Sequence, residues 1–192
     1  MDIITATGAM IVFGSMTYSL YLHTRRHEKS AAVDYIFSRT DKSPKQKLLH
    51  TIDHSKHTLD VAIFLLTEKE IVTHMCQATK RGVKVRVLTD RTQATESPQQ
   101  MANIQRLIDS GAQVMVNRHD GTMHLKVVIS DQHTITAGSY NFTYSAEQKN
   151  NEVMLIIKDK QMAAAWTKQF NQMWHDQDDY ASYPLDTNSK YA

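Results

Sequence analysis

A histidine, a lysine and an aspartate in the middle of the chain have a spacing that suits phosphodiester chemistry. They are His124, Lys126 and Asp131, which form the pattern H-x-K-x4-D. A histidine imidazole attacks phosphorus as a nucleophile or protonates a leaving oxygen, because its ordinary pKa lies near neutrality. A lysine ammonium donates hydrogen bonds to phosphoryl oxygens, whose charge changes in the transition state. The pattern therefore predicts a site for nucleophilic attack on phosphorus.

Four further residues downstream fit the same chemistry. Gly138, Ser139 and Asn141 form the pattern G-S-x-N, and Glu152 follows them. We expect the Ser139 hydroxyl and the Asn141 amide to donate hydrogen bonds to the phosphoryl oxygens. Gly138 is expected to let the backbone turn closely, so that both side chains return to the catalytic face. Glu152 is expected to bind the other ring nitrogen of His124.

The residues around the pattern favour a pair of strands. Apolar and alternating residues flank a polar turn at 130–133. His124 and Lys126 then lie on one face of the first strand, since side chains two apart on a strand point the same way. Asp131 falls in the turn, so we expect it to have a structural ion-pair role and no part in proton transfer. The alternative is a surface strand with a chance histidine and lysine.

A second copy of the pattern occurs near the N-terminus. His27, Lys29 and Asp34 also match H-x-K-x4-D, but Asp41 and Lys42 follow where Gly-Ser would be needed. No apolar strand surrounds this copy. We interpret it as coincidence, because short patterns recur by chance.

The complete motif, with Gly-Ser-x-Asn after it, resembles the phospholipase D superfamily. One motif in a short chain is most similar to the bacterial Nuc-type endonucleases, which are related to mitochondrial cardiolipin hydrolase and Zucchini. The resemblance covers roughly residues 44–174. It implies an α/β sandwich around a mixed sheet, a phosphohistidine intermediate, no metal or other cofactor, and an active site assembled from two chains.

Hydrophobic periodicity predicts alternating helices and strands in a catalytic domain at 44–177. The predicted helices are 45–56, 68–81, 98–110 and 161–174, and the predicted strands flanking the motif are 58–66, 83–89, 113–116 and 153–157. The segment 90–97 reads as a polar loop. This order predicts an α/β fold with a mixed, mostly parallel sheet flanked by helices.

Composition limits the classes of function. The chain has 192 residues, of which 41% are apolar, and this suits one globular domain with a short appendage. Its net charge of +2 argues against a strongly basic nucleic-acid binder, so phosphate affinity must come from local patches. The single cysteine, Cys76, excludes an internal disulfide and a Cys-rich zinc site.

Two basic regions could contact a polyanion. Lys84 and Arg86 lie on the polar side of a predicted strand, close in sequence to Lys80 and Arg81. Arg118 lies in a turn-rich loop directly before the catalytic strand, and we expect it to contact substrate phosphate. A plain exposed arginine is the alternative for that position.

The N-terminal segment is predicted to be a membrane anchor. Residues 3–22 carry no formal charge and have about the length of a hydrophobic helix that crosses a bilayer. Arg25, Arg26 and Lys29 follow the segment, which favours a bacterial inner-membrane protein with a cytoplasmic catalytic domain. A cleaved signal peptide, with export to the periplasm, and a buried helix are the alternatives.

Polar segments flank the predicted catalytic domain on both sides. Residues 24–43 read as a juxtamembrane linker with a helix over 27–40. Residues 178–192 read as a polar C-terminal tail that frays.

The mechanism that we expect needs two histidines with opposite roles. His124 attacks phosphorus, and a second histidine protonates the leaving alkoxide. His124 of a second chain supplies it in a homodimer with a shared site, or else His119 or His133 supplies it within one chain. Three functions compete. They are a nuclease that cleaves DNA or RNA, a membrane phospholipase acting on a lipid such as cardiolipin, and an inactive nucleic-acid-binding module.

Overall fold

The computed structural model describes residues 32–184, which form an eight-stranded mixed sheet with helices on both faces. The strands are β1 (Ala32–Phe37), β2 (Thr58–Ile63), β3 (Lys84–Thr89), β4 (Gln113–Asn117), β5 (Lys126–Ser130), β6 (Thr134–Gly138), β7 (Val153–Lys158) and β8 (Tyr180–Ser182). The helices are α1 (Pro44–Asp53), α2 (Lys69–Lys80), α3 (Arg91–Glu96), α4 (Pro98–Asp109), α5 (Tyr144–Gln148) and α6 (Lys160–His175).

The strand order in the sheet is β1-β7-β6-β5-β2-β3-β4-β8. The pairs β2–β3 and β3–β4 are parallel, because helices α2 and α4 connect them as crossovers. The pairs β2–β5, β5–β6, β6–β7 and β4–β8 are antiparallel. A mixed sheet flanked by helices was the prediction, and it is confirmed, but the expectation of a mostly parallel sheet is wrong. The tight turn at 130–133 makes β5 and β6 antiparallel, and β5 and β6 also pair antiparallel with their outer neighbours β2 and β7.

One face of the sheet packs against α1, α2 and α4. Alternate residues of β2 point to this face, and Leu59, Val61 and Ile63 are fully buried there. Helix α1 begins at Pro44 after Ser43, whose side chain accepts a hydrogen bond from the Gln46 backbone, as predicted for this cap. The buried residues of α2 are the four that its periodicity predicts, Ile71, Val72, Met75 and Ala78.

The other face of the sheet packs against α6 and contains a buried ion pair. Arg86 donates to both carboxylate oxygens of Asp60, at 2.7 and 2.9 Å, and to Asn171 Oδ1 at 2.8 Å. Its guanidinium also lies over the rings of Phe170 and Trp174. The prediction that Arg86 belongs to an exposed basic patch is therefore wrong, because this face of β3 is covered by a helix.

Three segments have a secondary structure that differs from the predicted one. The described part of the helix predicted over 27–40 is strand β1, in which Val33, Tyr35 and Phe37 share an exposed face at the period of two. The predicted polar tail contains β8, which pairs with β4. The predicted loop at 90–97 is mostly helix α3, capped by Asp90.

Among residues 32–184, no helix has the length and apolar composition needed to cross a bilayer. The predicted hydrophobic helix at 3–22 lies outside the described residues, as do His27 and Lys29 of the second H-x-K-x4-D copy.

Candidate active site

The backbone that continues β2 connects the two halves of the predicted site. The Phe64 N–H donates to the Leu125 carbonyl at 3.0 Å, next to His124. The following residue, Leu65, donates its N–H to Asn141 Oδ1 at 3.2 Å. Because Asn141 accepts through its oxygen, its amide NH2 group is left to donate elsewhere. The segment after β2 therefore brings the H-x-K and G-S-x-N patterns to the same end of the sheet.

His124 and Lys126 lie against the ring of Phe64. The His124 ring is exposed, and its centroid is 4.8 Å from that of Phe64. The Lys126 ammonium is 5.1 Å from the same ring and donates to the His124 carbonyl at 2.7 Å. In the described part of the chain, the ring nitrogens of His124 form no hydrogen bond, so the imidazole is available to a substrate.

Two opposing effects act on the pKa of Lys126. Its side chain is only 8% exposed, and burial lowers its pKa from the ordinary value. The carboxylate of Glu152 acts in the opposite direction and raises that pKa. Glu152 is therefore close enough to Lys126 to interact electrostatically, which brings the fifth predicted residue to the same site.

Gly138 and Ser139 join β6 to β7 at this end of the sheet. A Cβ atom on Gly138 would lie 2.1 Å from the Val153 carbonyl oxygen, so only glycine fits there. The Ser139 hydroxyl donates to Glu152 Oε2 and accepts the Val153 N–H at 3.2 Å. Glu152 thus bonds to Ser139 within one chain, and its predicted contact with the ring of His124 is not formed there.

Ser38 orients Glu152 from the segment after β1. Its N–H donates to the Glu152 carbonyl at 2.9 Å, and its hydroxyl accepts the Glu152 N–H at 2.8 Å. The same hydroxyl donates to the Asn150 carbonyl at 2.7 Å. No sequence pattern indicates this role, since Ser38 lies in a segment that reads as linker.

Two buried amides on α4 hold the segment after β2 in place. Gln100 donates to the Phe64 carbonyl at 3.1 Å and accepts the Leu66 N–H at 2.8 Å, and Asn103 donates to the Leu66 carbonyl at 3.0 Å. Both side chains are almost fully buried. The role of Gln100 and Asn103 was not predicted, although polar residues on the apolar face of a predicted helix are a signal for it.

Asp131 lies at the opposite end of β5 from His124. Its carboxylate accepts the backbone N–H groups of Lys56, His57 and Thr58 at 2.7–3.0 Å. Burial by itself would raise the pKa of Asp131, but these three hydrogen bonds together lower it below the ordinary value. Asp131 has the position expected of a structural residue, but among residues 32–184 its carboxylate bonds to backbone amides and forms no ion pair of the kind predicted.

The remaining predicted residues lie away from this cluster or are held by other groups. Arg118 donates its N–H to the Asp179 carbonyl at 2.6 Å and a guanidinium N–H to the Gln177 carbonyl at 3.1 Å. His119 Nδ1 accepts the Gly121 N–H at 3.0 Å. His133 lies in the turn at the far end of β5.

Comparison with known proteins identifies the family of this fold and site. The sequence profile described as "Cardiolipin synthase, PLD-like domain" matches residues 48–174. The chain belongs to the phospholipase D superfamily. The matched region contains the whole H-x-K-x4-D motif, the Gly-Ser-x-Asn motif and Glu152.

The proteins that are similar to this chain carry different functional names. A solved structure of Nuc from Salmonella typhimurium, a phospholipase D family member, superposes with a TM-score of 0.72 at 26% identity, covering 80% of this chain and 99% of Nuc. A phospholipase D of Rickettsia felis is 31% identical over 62% of this chain. A mitochondrial cardiolipin hydrolase of Chlamydomonas reinhardtii is 28% identical over 67% of this chain. The chain spans 58% and 56% of the lengths of these last two proteins.

Proposed function

We propose that the protein is a metal-independent phosphodiesterase, and specifically an endonuclease that cleaves DNA or RNA through a phosphohistidine intermediate. One observation carries the proposal. An exposed imidazole, that of His124, lies beside the buried ammonium of Lys126 at the end of the sheet where the Asn141 amide is oriented. These groups are a nucleophile and two donors for phosphoryl oxygens, supplied by the chain itself.

The reaction has two displacements at phosphorus. In the first, His124 forms a P–N bond while the bond from phosphorus to the leaving oxygen breaks, and a second histidine protonates that oxygen. In the second displacement, the second histidine takes a proton from water. The water oxygen attacks phosphorus, and the P–N bond to His124 breaks. The side chains of Lys126, Ser139 and Asn141 donate hydrogen bonds to the phosphoryl oxygens in both steps. When Ser139 turns to the substrate, the carboxylate of Glu152 is released and can bond to the imidazole of His124.

The second histidine is proposed to come from a second copy of the chain. His133 is an unsuitable acid within one chain, because the whole of β5 separates it from His124. A two-fold contact brings the same exposed patch of two subunits together, and His124 belongs to such a patch. The homodimer would therefore contain one composite site. Arg118 remains a candidate for contact with substrate phosphate.

Two observations bear on the choice of substrate. The match covers 99% of Nuc from Salmonella typhimurium, and together with the resemblance to the Nuc-type endonucleases it favours a nuclease as the first candidate. The cardiolipin hydrolase of Chlamydomonas reinhardtii favours a lipid substrate as the second candidate, and the predicted anchor at 3–22 would hold the domain beside it. Membrane attachment and a cytoplasmic catalytic domain are part of the same proposal.

The test is an assay of the purified protein with DNA, RNA and cardiolipin in parallel, in excess EDTA. We expect cleavage of nucleic acid, and we expect His124→Asn to lower the rate by several orders of magnitude, because it removes the nucleophile. His27→Asn is the matched control, and it should leave the rate unchanged. Loss of activity in EDTA with recovery on adding magnesium would overturn the mechanism. Cleavage of cardiolipin alone would replace the nuclease by the second candidate.

A further inference from the structure

A groove of about 450 Å³ lies at the end of the sheet opposite His124. Five basic side chains line it: Lys47, His50, His54, His133 and Lys158. They come from α1 and the residue that caps its C-terminus, from the turn between β5 and β6, and from the end of β7. The five residues of β5 separate this groove from His124 by roughly 15 Å. The proposed mechanism uses none of the five.

The lining of the groove carries a net positive charge, because two lysine ammonium groups share it with a single carboxylate. Among residues 32–184, the ammonium groups of Lys47 and Lys158 form no ion pair. Asp131 also lines the groove, but its carboxylate already accepts three backbone N–H groups. Asp53 lies near His50, but its carboxylate bonds to His74 at 2.7 Å.

Three of the groove residues are histidines, whose ring nitrogens both donate when the imidazole is protonated. His54 Nδ1 bonds to the His50 carbonyl at 2.8 Å, which fixes Nδ1 as the protonated nitrogen. The His50 and His54 rings stack with centroids 3.9 Å apart. Within residues 32–184, no three His, Cys, Asp or Glu side chains are grouped in the way that a metal ion needs. The ammonium groups of Lys47 and Lys158, together with imidazoles that donate when protonated, give the groove the chemistry of an anion site.

We propose that this groove binds a small phosphorylated ligand, with Lys47 and Lys158 contacting its phosphate group and the imidazoles of His50 and His133 donating to it. Its volume falls in the range of small-molecule sites, and its walls combine a few polar groups with the apolar side chain of Ile156. Charge-assisted hydrogen bonds to phosphate are the strongest that these side chains form. The ligand is separate from the substrate bound at His124.

The groove makes binding depend on pH. Burial lowers the pKa of His50, and the charges of His54, Lys47 and Lys158 lower it further, while Asp53 opposes them. His133 and Asp131 face the same space from the turn. A bound phosphate favours the protonated imidazole and raises the pKa of His50, so binding takes up a proton. The affinity of the groove for a phosphate group therefore increases as the pH falls through neutrality, until the phosphate group itself takes up a proton at about pH 6.

The experiment follows the imidazole signals of the full-length protein by NMR while inorganic phosphate, AMP or glycerol 3-phosphate is added. We expect saturable shifts at His50 and His133 and a rise in the pKa of His50 by about one pH unit. The variant Lys47→Gln/Lys158→Gln should weaken binding at least about ten-fold, because it removes both cations. Lys80→Gln/Lys160→Gln removes the same charge outside the groove and should leave binding unchanged.

Three further measurements separate the possible results. Lys126→Gln should not alter the shifts at His50, because the active site is not the origin of the signal. If Lys47→Gln/Lys158→Gln fails to fold, His50→Gln tests the same site and should weaken the binding that is followed at the His133 signal. Tighter binding of AMP or of glycerol 3-phosphate identifies a nucleotide or a lipid headgroup as the source, and equal affinities identify free phosphate. Absence of saturable shifts, or equal weakening in the two lysine pairs, would overturn the proposal.

Discussion

Lys126 brings a positive charge into a buried position, and its neighbours determine how well that charge is tolerated. Burial lowers the pKa of the ammonium, while Glu152 raises it. The face of the Phe64 ring and the His124 carbonyl give further support to the charged form. An ammonium held in this way is already desolvated before a phosphodiester arrives, so its attraction to phosphoryl oxygens is stronger than at a surface.

Phe64 is a positioning residue in this arrangement, since its ring contacts both His124 and Lys126. Changing Phe64 to Leu should lower kcat about ten-fold or more with little change in KM, because it loosens the nucleophile and the ammonium. Steady-state assays with a chromogenic phosphodiester measure this split. Phe64→Tyr keeps the ring and should retain most of the activity. Equal losses in both variants would show that the ring is not what positions the site.

Asp131 should affect stability in a pH-dependent way. Its folded-state pKa is lowered, so its contribution is present above the unfolded value of about 3.9 and is lost as the pH falls through the folded value. Asp131→Asn should lower the free energy of unfolding by roughly 1–3 kcal/mol at neutral pH, because a neutral amide binds three N–H groups poorly. Urea denaturation at pH 7 and below pH 4 measures it, and the difference should shrink in acid. Asp120→Asn, in an exposed loop, should have no effect at either pH.

The segment after β2 positions the site, and side chains of α4 hold this segment in place through hydrogen bonds to its backbone. Gln100 satisfies the Phe64 carbonyl and the Leu66 N–H and also donates to the Thr89 hydroxyl at 3.0 Å. A buried backbone group without a partner costs free energy comparable to a lost hydrogen bond. The hydrogen bonds from Gln100 are therefore what allow an irregular segment to lie between the sheet and a helix.

Replacing Gln100 by Met keeps the volume and removes these hydrogen bonds. We expect the free energy of unfolding to fall by about 2–4 kcal/mol, because the Phe64 carbonyl and Leu66 N–H lose their partner. Catalysis should fall as well, since Phe64 positions His124. Gln99→Met is the matched control, because Gln99 is exposed on the same helix. A Gln100→Met protein as stable as the Gln99→Met protein would contradict this account.

How far the sequence predicted these elements depends on whether the determining contacts are local. The buried face of α2 and the turn at 130–133 follow from periodicity and turn residues, and both are confirmed. Strand β1 and strand β8 were missed, because each is short and becomes a strand only by pairing with a neighbour distant in sequence. The residues of the motif were found from spacing, whereas Ser38 and Gln100 contact the site across more than 30 residues of chain.

At the scale of the whole molecule, the sheet divides into two ends with different groups. His124, Ser139 and Glu152 lie at one end, and the groove containing Lys47 and Lys158 lies at the other. A homodimer joined through the His124 end would bury the catalytic groups and leave both grooves exposed. A ligand in the groove would therefore not compete with dimerisation.

A mixing experiment decides between a shared site and independent sites. Wild-type chains are unfolded and refolded with an equal amount of His124→Asn chains, so that subunits pair at random. If both copies of His124 are required in one composite site, about a quarter of the dimers should be active, whereas independent sites keep about half of the total activity. A refolded mixture of wild type with His27→Asn controls for losses in refolding and should keep full activity. Sedimentation of the active fraction completes the test. An active monomer would exclude the composite site, because one chain would then suffice for both displacements.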